Sequence, residues 1–468
     1  MALTPWSGDA CSLVDAYRRG EHSPVDEAAA VLDAIERSQL NAFCYLEPEQ
    51  ALTTARSADI SQPFGGVPIG VKELDHVAGW PATEASVPLA DQIAVFTSVM
   101  VERLRAAGAI TIGQTTASEF GGVNVTRTVL HGTTHNPWGH DHTPGGSSGG
   151  SAAVVAGGIV TLATAGDGGG SIRIPAGFCG LVGLKATYGR IPRGPRLEYG
   201  NLTTVTGCVS RSVRDTARWF DVANGHHPTD PLSLPRMNGW ERGLGTHLAS
   251  LRGARVALVP DWGGATVSPA MWELLRGAAY DLVNDAGMIN VEGLDTSLPN
   301  MGAAWSISGM ISIHAQLGDK WPACADDLTP EIAFGLQSTA GRYSMEARNK
   351  IENRRMQLNE RMAQIFAATT GVDFVITASN PDVAFAADGP LPSSFGGVRA
   401  GAGNNGRLTF PANLHGNPAI SVPTGLLDGL PISLQIVGRH FTEPHLLDLA
   451  WLIERERPWP LVAPGAPV

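Results

Sequence analysis

The stretch GGSSGGSAAVVAGGIVTLATAGDGGGSIRIP, residues 145–175, carries the reading of the fold. It opens as a loop of glycines and serines, runs through a short apolar segment that fits a buried helix over residues 149–156, and continues as a strand over residues 159–165. Gly168, Gly169 and Gly170 follow, then Ser171, and the alternation of Ile172, Arg173 and Ile174 beyond it reads as strand-like. Glycine loses more conformational freedom on folding than any other residue, so three together imply a tight turn or the close approach of another group. Successive glycine N–H groups can also point into one concavity, a nest for negative charge. Donors of that kind stabilise the oxyanion of an acyl-transfer intermediate by roughly 3 kcal/mol each. The short helix would begin beside Ser147 and Ser148 and turn its positive end toward the same loop.

The same strand-and-helix texture extends outward. VPIGVKEL (67–74) is an apolar strand ending in Lys72, SVMVERLRAAG (98–108) a helix and AITIGQT (109–115) a second strand. That alternation argues for parallel βαβ units and an α/β fold. Residues 11–60 carry helical spacing, with Leu13, Tyr17, Val31, Leu32 and Ile35 on the apolar side and Ser23-Pro24 as a capped helix start. ARVALVPDW, VDFVITAS, NPAISVPTG and PISLQIVGR read as strands. SMEARNKIENRRMQLNERMAQIFAATTG reads as a long helix whose inner stripe is Ile351, Leu358, Met362 and Ile365, and TEPHLLDLAWLIERER as a closing helix. With no repeat or linker, the expectation is one large domain spanning residues 1–468, a mixed and mostly parallel sheet covered by helices. Within it fall an N-terminal helical layer (1–60), a core (64–192), a variable region (194–411) and closing strands and helix (417–457).

Composition bounds the function. Hydrophobic residues make up 43% and charged residues 16%, a globular balance, and the net charge of −11 disfavours nucleic-acid partners. The five cysteines form no Cys-x-x-Cys pair, which fits a reducing compartment and gives no reason to expect sulfur-bound metal. MALTPWSGDACSL lacks the pattern of a secretory signal, and no apolar run reaches membrane-spanning length, so a cytoplasmic protein without membrane contact is expected.

A serine needs a partner to take its proton. GGSSGG holds G-x-S-x-G centred on Ser147 and again on Ser148, the pattern of a nucleophile elbow, but an elbow follows a strand and here turn formers precede it. Lys72 offers another base: burial at a strand end disfavours the ammonium and brings the amine toward neutrality. A lone strand-end lysine is more often a surface charge. The crowd of His131, His135, His140 and His142 with Glu119 nearby raises a metal site, against which the irregular segment argues. Met301, Trp305, Met310, Ile311 and Trp321 read as core before they read as a substrate pocket. Cys179 reads as packed and inert.

The segments GVPIGVKE, LRAAGAITIGQT, NPWGHDHTPGGSSGGSAA, GDGGGSIRIPAGFCGLVGLKATYGRIP and NPAISVPTG together resemble the amidase signature family, densely from Phe64 to Pro192 and again from Asn417 to Arg439. The resemblance implies a catalytic set of Lys72, Ser147 and Ser171, with the peptide before Ser147 cis. It also implies an oxyanion hole of the N–H groups of Gly168, Gly169, Gly170 and Ser171, substrate-facing backbone at Gly121 and Gly122, and support from Ser148, Asp167 and Arg173. Gly166-Asp167-Gly168 departs from the family's commoner sequence toward its aryl acylamidase, cyclic-dimer hydrolase and urethanase branch. The implied function is hydrolysis of amides, anilides or aryl carbamates, with esterase side activity, by a monomer or homodimer acting on a small molecule without cofactor or metal. The alternatives are the glutamine-hydrolysing subunit of a tRNA-dependent amidotransferase and a non-catalytic binding protein on the same scaffold.

Overall fold

The first two helices begin where side chains cap them. Asp9 accepts the N–H of Ser12 at the head of α1 (Ala10–Arg19), and Ser23 that of Asp26 at the head of α2 (Pro24–Arg37). The computed structural model describes residues 4–196 and 202–467. The N-terminal layer is not wholly helical: β1 (Phe43–Leu46) pairs antiparallel with the strand Ile110–Thr115 and forms the sheet edge, and α3 (Pro48–Arg56) follows it.

β2 (Pro68–Lys72), α4 (Val99–Ala106) and β3 (Ile110–Thr115) form the expected βαβ unit, with β2 and β3 parallel. Every residue of β2 is buried, as its run of Ile69 and Val71 requires between two neighbouring strands. A short hairpin, β4 (Arg127–Thr128) and β5 (Gly132–Thr133), precedes α5 (Gly149–Ala156), which falls where the sequence places it. Then come β6 (Leu162–Asp167), α6 (Arg173–Cys179), β7 (Val182–Lys185), β8 (Val205–Ser210) and α7 (Val213–Ala223).

The second half brings β9 (Arg255–Leu258), α8 (Pro269–Ala286), β10 (Ile289–Asn290), α9 (Gly302–Leu317), α10 (Pro330–Thr339) and α11 (Met345–Ile365). β11 (Phe374–Ala378), the small hairpin β12 (Ser394–Phe395) and β13 (Val398–Arg399), α12 (Phe410–His415), β14 (Ala419–Leu427), β15 (Leu430–Gly438) and α13 (Glu443–Glu456) complete the chain. Eleven strands make one sheet in the order β1-β3-β2-β6-β8-β7-β14-β15-β11-β9-β10. Its parallel pairs lie in two runs, β3-β2-β6 and β11-β9-β10, and the middle is antiparallel. β14 and β15 are joined by Asp428 and Gly429, both with positive φ, the two-residue turn that matches hairpin twist.

Two sequence expectations shift. The strand expected over residues 159–165 begins at Leu162, because the N–H groups of Ile159 and Val160 both turn back to the Val154 carbonyl and close α5. The strand-like run after Ser171 is instead helix α6. The Asp167 carboxylate accepts the N–H groups of Gly170 and Ile172, Ile174 donates to the Gly170 carbonyl, and Pro175 sits in the first turn where its missing donor costs nothing.

Candidate active site

Lys72 ends β2 with its side chain buried, and its Nζ donates to Ser147 Oγ at 2.7 Å and to Ser148 Oγ at 2.9 Å. Burial lowers its pKa from 10.5 to about 8, against the opposing pull of Asp75, Asp167 and Glu84. The two serines precede α5, whose positive end further disfavours a nearby ammonium and favours charge on a serine oxygen. The Gly146–Ser147 peptide is cis.

A third residue locks the strand end. Thr164 Oγ1 accepts the Lys72 backbone N–H at 2.7 Å and donates to Asp75 at 2.6 Å, tying β2 to β6 at the site. Nothing in the local sequence marks Thr164 or Asp75 for this role.

Ser171 lies partly exposed at the end of the glycine run that leaves β6. The four donors expected of that run divide. Gly170 donates to Asp167 Oδ1 at 2.7 Å, so its N–H is spent within the scaffold and is not free to serve as the oxyanion donor expected from the sequence. The reason is α6: with Asp167 capping the turn, the amide before the helix points back at the carboxylate. Gly168, Gly169 and Ser171 make no N–H hydrogen bond among the described residues and remain as free donors.

Asp167 and Arg173 sit wholly buried under this turn. Arg173 grips the carboxylate through Nε and Nη2, both at 3.0 Å, and its remaining donors go to Thr409 O, Gln435 Oε1 and Asn413 Oδ1. Burial alone would raise the Asp167 pKa, yet Arg173, Asn413 and Lys185 hold it down at about 2. Asn413 also donates to both the carboxylate and the carbonyl of Asp167. Asn413 and Gln435 reach this network from more than 230 positions away, which local sequence reading has no means to see.

Gly121 adopts φ +66, and a Cβ placed there would lie 3.4 Å from Ser147 Oγ, so the backbone itself borders the site. Gly122 packs under Ile332 and Ile313, part of an apolar cluster with Leu317, Leu328 and Leu336 from the α9–α10 region. Met310 and Trp321 lean on that cluster, whereas Met301 belongs to the main core, and the side chain of Trp305 lies outside the described residues. Glu119 is not grouped with the histidines. It accepts from Ser86 and from the N–H and hydroxyl of Thr329, anchoring the head of α10. His135 and His140 stack on each other with ring centroids 3.8 Å apart, while His131 bonds Glu73 at 2.8 Å. Cys179 is buried, and burial pushes its thiol pKa upward, as expected of an inert thiol.

The family model described as Amidase matches residues 28–447. A glutamyl-tRNA(Gln) amidotransferase subunit from Methanosarcina barkeri is 31% identical over 465 residues, covering 93% of this chain and 94% of that protein. The structure of a bacterial aryl acylamidase superposes with a TM-score of 0.88 at 26% identity over 97% of both chains. That of a 6-aminohexanoate cyclic dimer hydrolase complexed with substrate gives a TM-score of 0.85 at 26% identity, over 98% of this chain and 99% of that one. No helix among the described residues is long and apolar enough to cross a membrane.

Proposed function

This chain belongs to the amidase family, and we propose that it is an amidohydrolase in which Ser171 is acylated by substrates with an apolar or aromatic portion, namely anilides, amides and aryl carbamates. The observation that carries the reading is the bond to Ser147 from a Lys72 whose burial lowers its pKa to about 8, beside a turn with three unspent N–H groups. Neutral Lys72 takes the Ser147 proton, Ser147 takes that of Ser171, and Ser171 Oγ attacks the carbonyl carbon. The N–H groups of Gly168, Gly169 and Ser171 hold the resulting oxyanion. Ser147 returns a proton to the leaving nitrogen, and water then releases the acyl group. For a carbamate the released acid loses carbon dioxide.

The apolar wall of Phe120, Ile313 and Ile332 beside Gly121 and Gly122 favours an apolar group over glutamine, whose charged amine and carboxylate need paired partners. The amidotransferase reading has its own support in the name carried by curated relatives such as the Methanosarcina barkeri protein, 31% identical, and by a solved structure from Thermotoga maritima. A panel of primary amides, anilides, aryl carbamates and p-nitrophenyl esters, with glutamine included, separates the two. Turnover of anilides or carbamates that Ser171→Ala abolishes supports the proposal, and glutamine hydrolysis alone overturns it. Labelling of Ser171 by a fluorophosphonate separates both from a non-catalytic binding protein.

A further inference from the structure

The residue after Lys72 turns away from the lysine's partners into a second polar cluster. Glu73 is only 1% exposed. Its Oε1 accepts from Thr83 Oγ1 and from His131 Nε2, the latter at 2.8 Å. Its Oε2 is buried and makes no hydrogen bond among the described residues. A buried carboxylate oxygen left without a donor costs about 1–3 kcal/mol or more, so the site calls for a positive partner. Cys44, from edge strand β1, faces the same place, and the ligand atoms of Cys44, Glu73 and His131 all lie within 4.8 Å of one another.

We propose that Cys44, Glu73 and His131 form a binding site for a thiophilic divalent cation of the Zn2+ class, apart from the catalytic serines. Thiolate, imidazole and carboxylate together suit a borderline-soft ion, whereas magnesium and calcium take oxygen donors alone. Three protein ligands leave a fourth tetrahedral position for water. Donors sharing one zinc ion stand about 3.5 Å apart. His131 Nε2 and Glu73 Oε1, now 2.8 Å apart, open slightly, and the wider separations, none above 4.8 Å, close. Cys44 lies on the sheet edge and His131 in the β4–β5 turn, held by its N–H to Thr128 Oγ1 at 2.9 Å. On binding, the Cys44 S–H bond breaks, a metal–sulfur bond forms and the proton leaves to solvent. His131 gives up its Nε2 proton and carries one on Nδ1 instead, so that its hydrogen bond to Glu73 is exchanged for a metal–nitrogen bond, and no redox change occurs. The ion ties the edge strand and the hairpin to the end of β2. No sequence motif announces the site, since Glu73 and His131 are 58 positions apart.

The test uses the full chain with Zn2+ in titration calorimetry and Co2+ in near-ultraviolet absorption. The expected result is one zinc per chain, a rise in Tm on zinc addition and a cobalt–thiolate charge-transfer band. The other four cysteines are buried, so the band reports Cys44. Cys44→Ser removes the band, and His131→Phe weakens zinc binding at least about tenfold. His135→Ala, which alters the neighbouring stacked pair, changes neither. Absence of the band in the wild type, or zinc affinity unchanged in both Cys44→Ser and His131→Phe, overturns the site.

Discussion

Ser148 Oγ stands 2.9 Å from Lys72 Nζ and 3.3 Å from both the N–H and the carbonyl of Gly166, so one hydroxyl joins the buried amine to the strand that delivers the glycine run. A neutral amine has one lone pair, and for Lys72 to act as a base that pair must face Ser147. Ser148 fixes the rotation. General-base catalysis is worth 10²–10⁴, and losing the orientation forfeits part of it. Ser148→Ala is expected to lower kcat roughly ten- to a hundredfold with KM nearly unchanged. Steady-state kinetics on an anilide checks this, and an unchanged kcat would make Ser148 a packing residue only.

The pH profile follows from the same amine. With a pKa of about 8, only about one Lys72 in ten is neutral at pH 7. In the proposed mechanism the reactive form is the deprotonated one, so kcat/KM is expected to climb with pH and level off above about 8. Lys72→Ala should lose roughly 10²–10⁴ at neutral pH and recover part of it in alkali, where hydroxide replaces the base. Wild-type activity flat between pH 6 and 9 would take the lysine out of the mechanism.

Position decides which glycine can change. Gly170 has φ +135, and a Cβ there would sit 2.4 Å from Thr409 Oγ1 and 2.7 Å from Ile174. Gly168 lacks a positive φ and meets only Thr204 Oγ1, at 3.1 Å. Gly170→Ala is therefore expected to cost more than about 1 kcal/mol of stability. Gly168→Ala should fold normally, and Gly168→Thr should change the ratio of anilide to primary-amide hydrolysis by narrowing the nest. Thermal denaturation and the substrate panel read the two effects. Equal destabilisation at both positions, or a constant ratio, contradicts the assignment.

The parts of the site visible in the sequence are those with a local cause. Lys72 closes an apolar run, and the glycines before Ser171 demand a turn, so both are legible from composition and period. Ile172-Arg173-Ile174 misleads because its alternation is real but irrelevant. Arg173 is buried by the carboxylate of Asp167 and not by a pleated sheet, and a capping side chain outweighs a three-residue period. Asn413 and Gln435 stay invisible because their role exists only once β15 and α12 have packed beneath α6. Asp428-Gly429 is the opposite case: its cause is local, a two-residue turn signal between two runs that each read as a strand, and it makes them a hairpin.

Asp167 makes the turn depend on charge. Its carboxyl titrates near 2 when folded, below its ordinary value of 3.8. The stability it contributes is complete above the unfolded value and is lost as pH falls through about 2. Asp167→Asn keeps the shape but leaves Arg173 buried without its counter-charge, which costs about 3–5 kcal/mol. The expected outcome is a large drop in Tm at pH 7 that shrinks toward pH 2, where the wild type is itself being protonated. A variant as stable as wild type at neutral pH would show that Gln435, Thr409 and Asn413 alone satisfy Arg173.

Lys185 is the second wholly buried lysine, its Nζ donating to the Ala186 carbonyl at 2.8 Å. Burial first, and the charge of Arg173 second, lower its pKa from 10.5 to about 7, against the pull of Asp167 and Glu443. Between about pH 7 and 10.5 the unfolded chain binds this proton and the folded chain does not, so stability rises with pH across that window. Below pH 7 the folded protein must carry a buried ammonium. Lys185→Met removes the titration while keeping the volume, and it is expected to stabilise the protein by roughly 1–4 kcal/mol at pH 6. The gain should shrink steadily as pH rises from 7 toward 10, because the wild type recovers what the variant never lost. Urea unfolding at pH 6 and at pH 9 measures both values. An equal gap at the two would mean that packing, and not protonation, accounts for the difference.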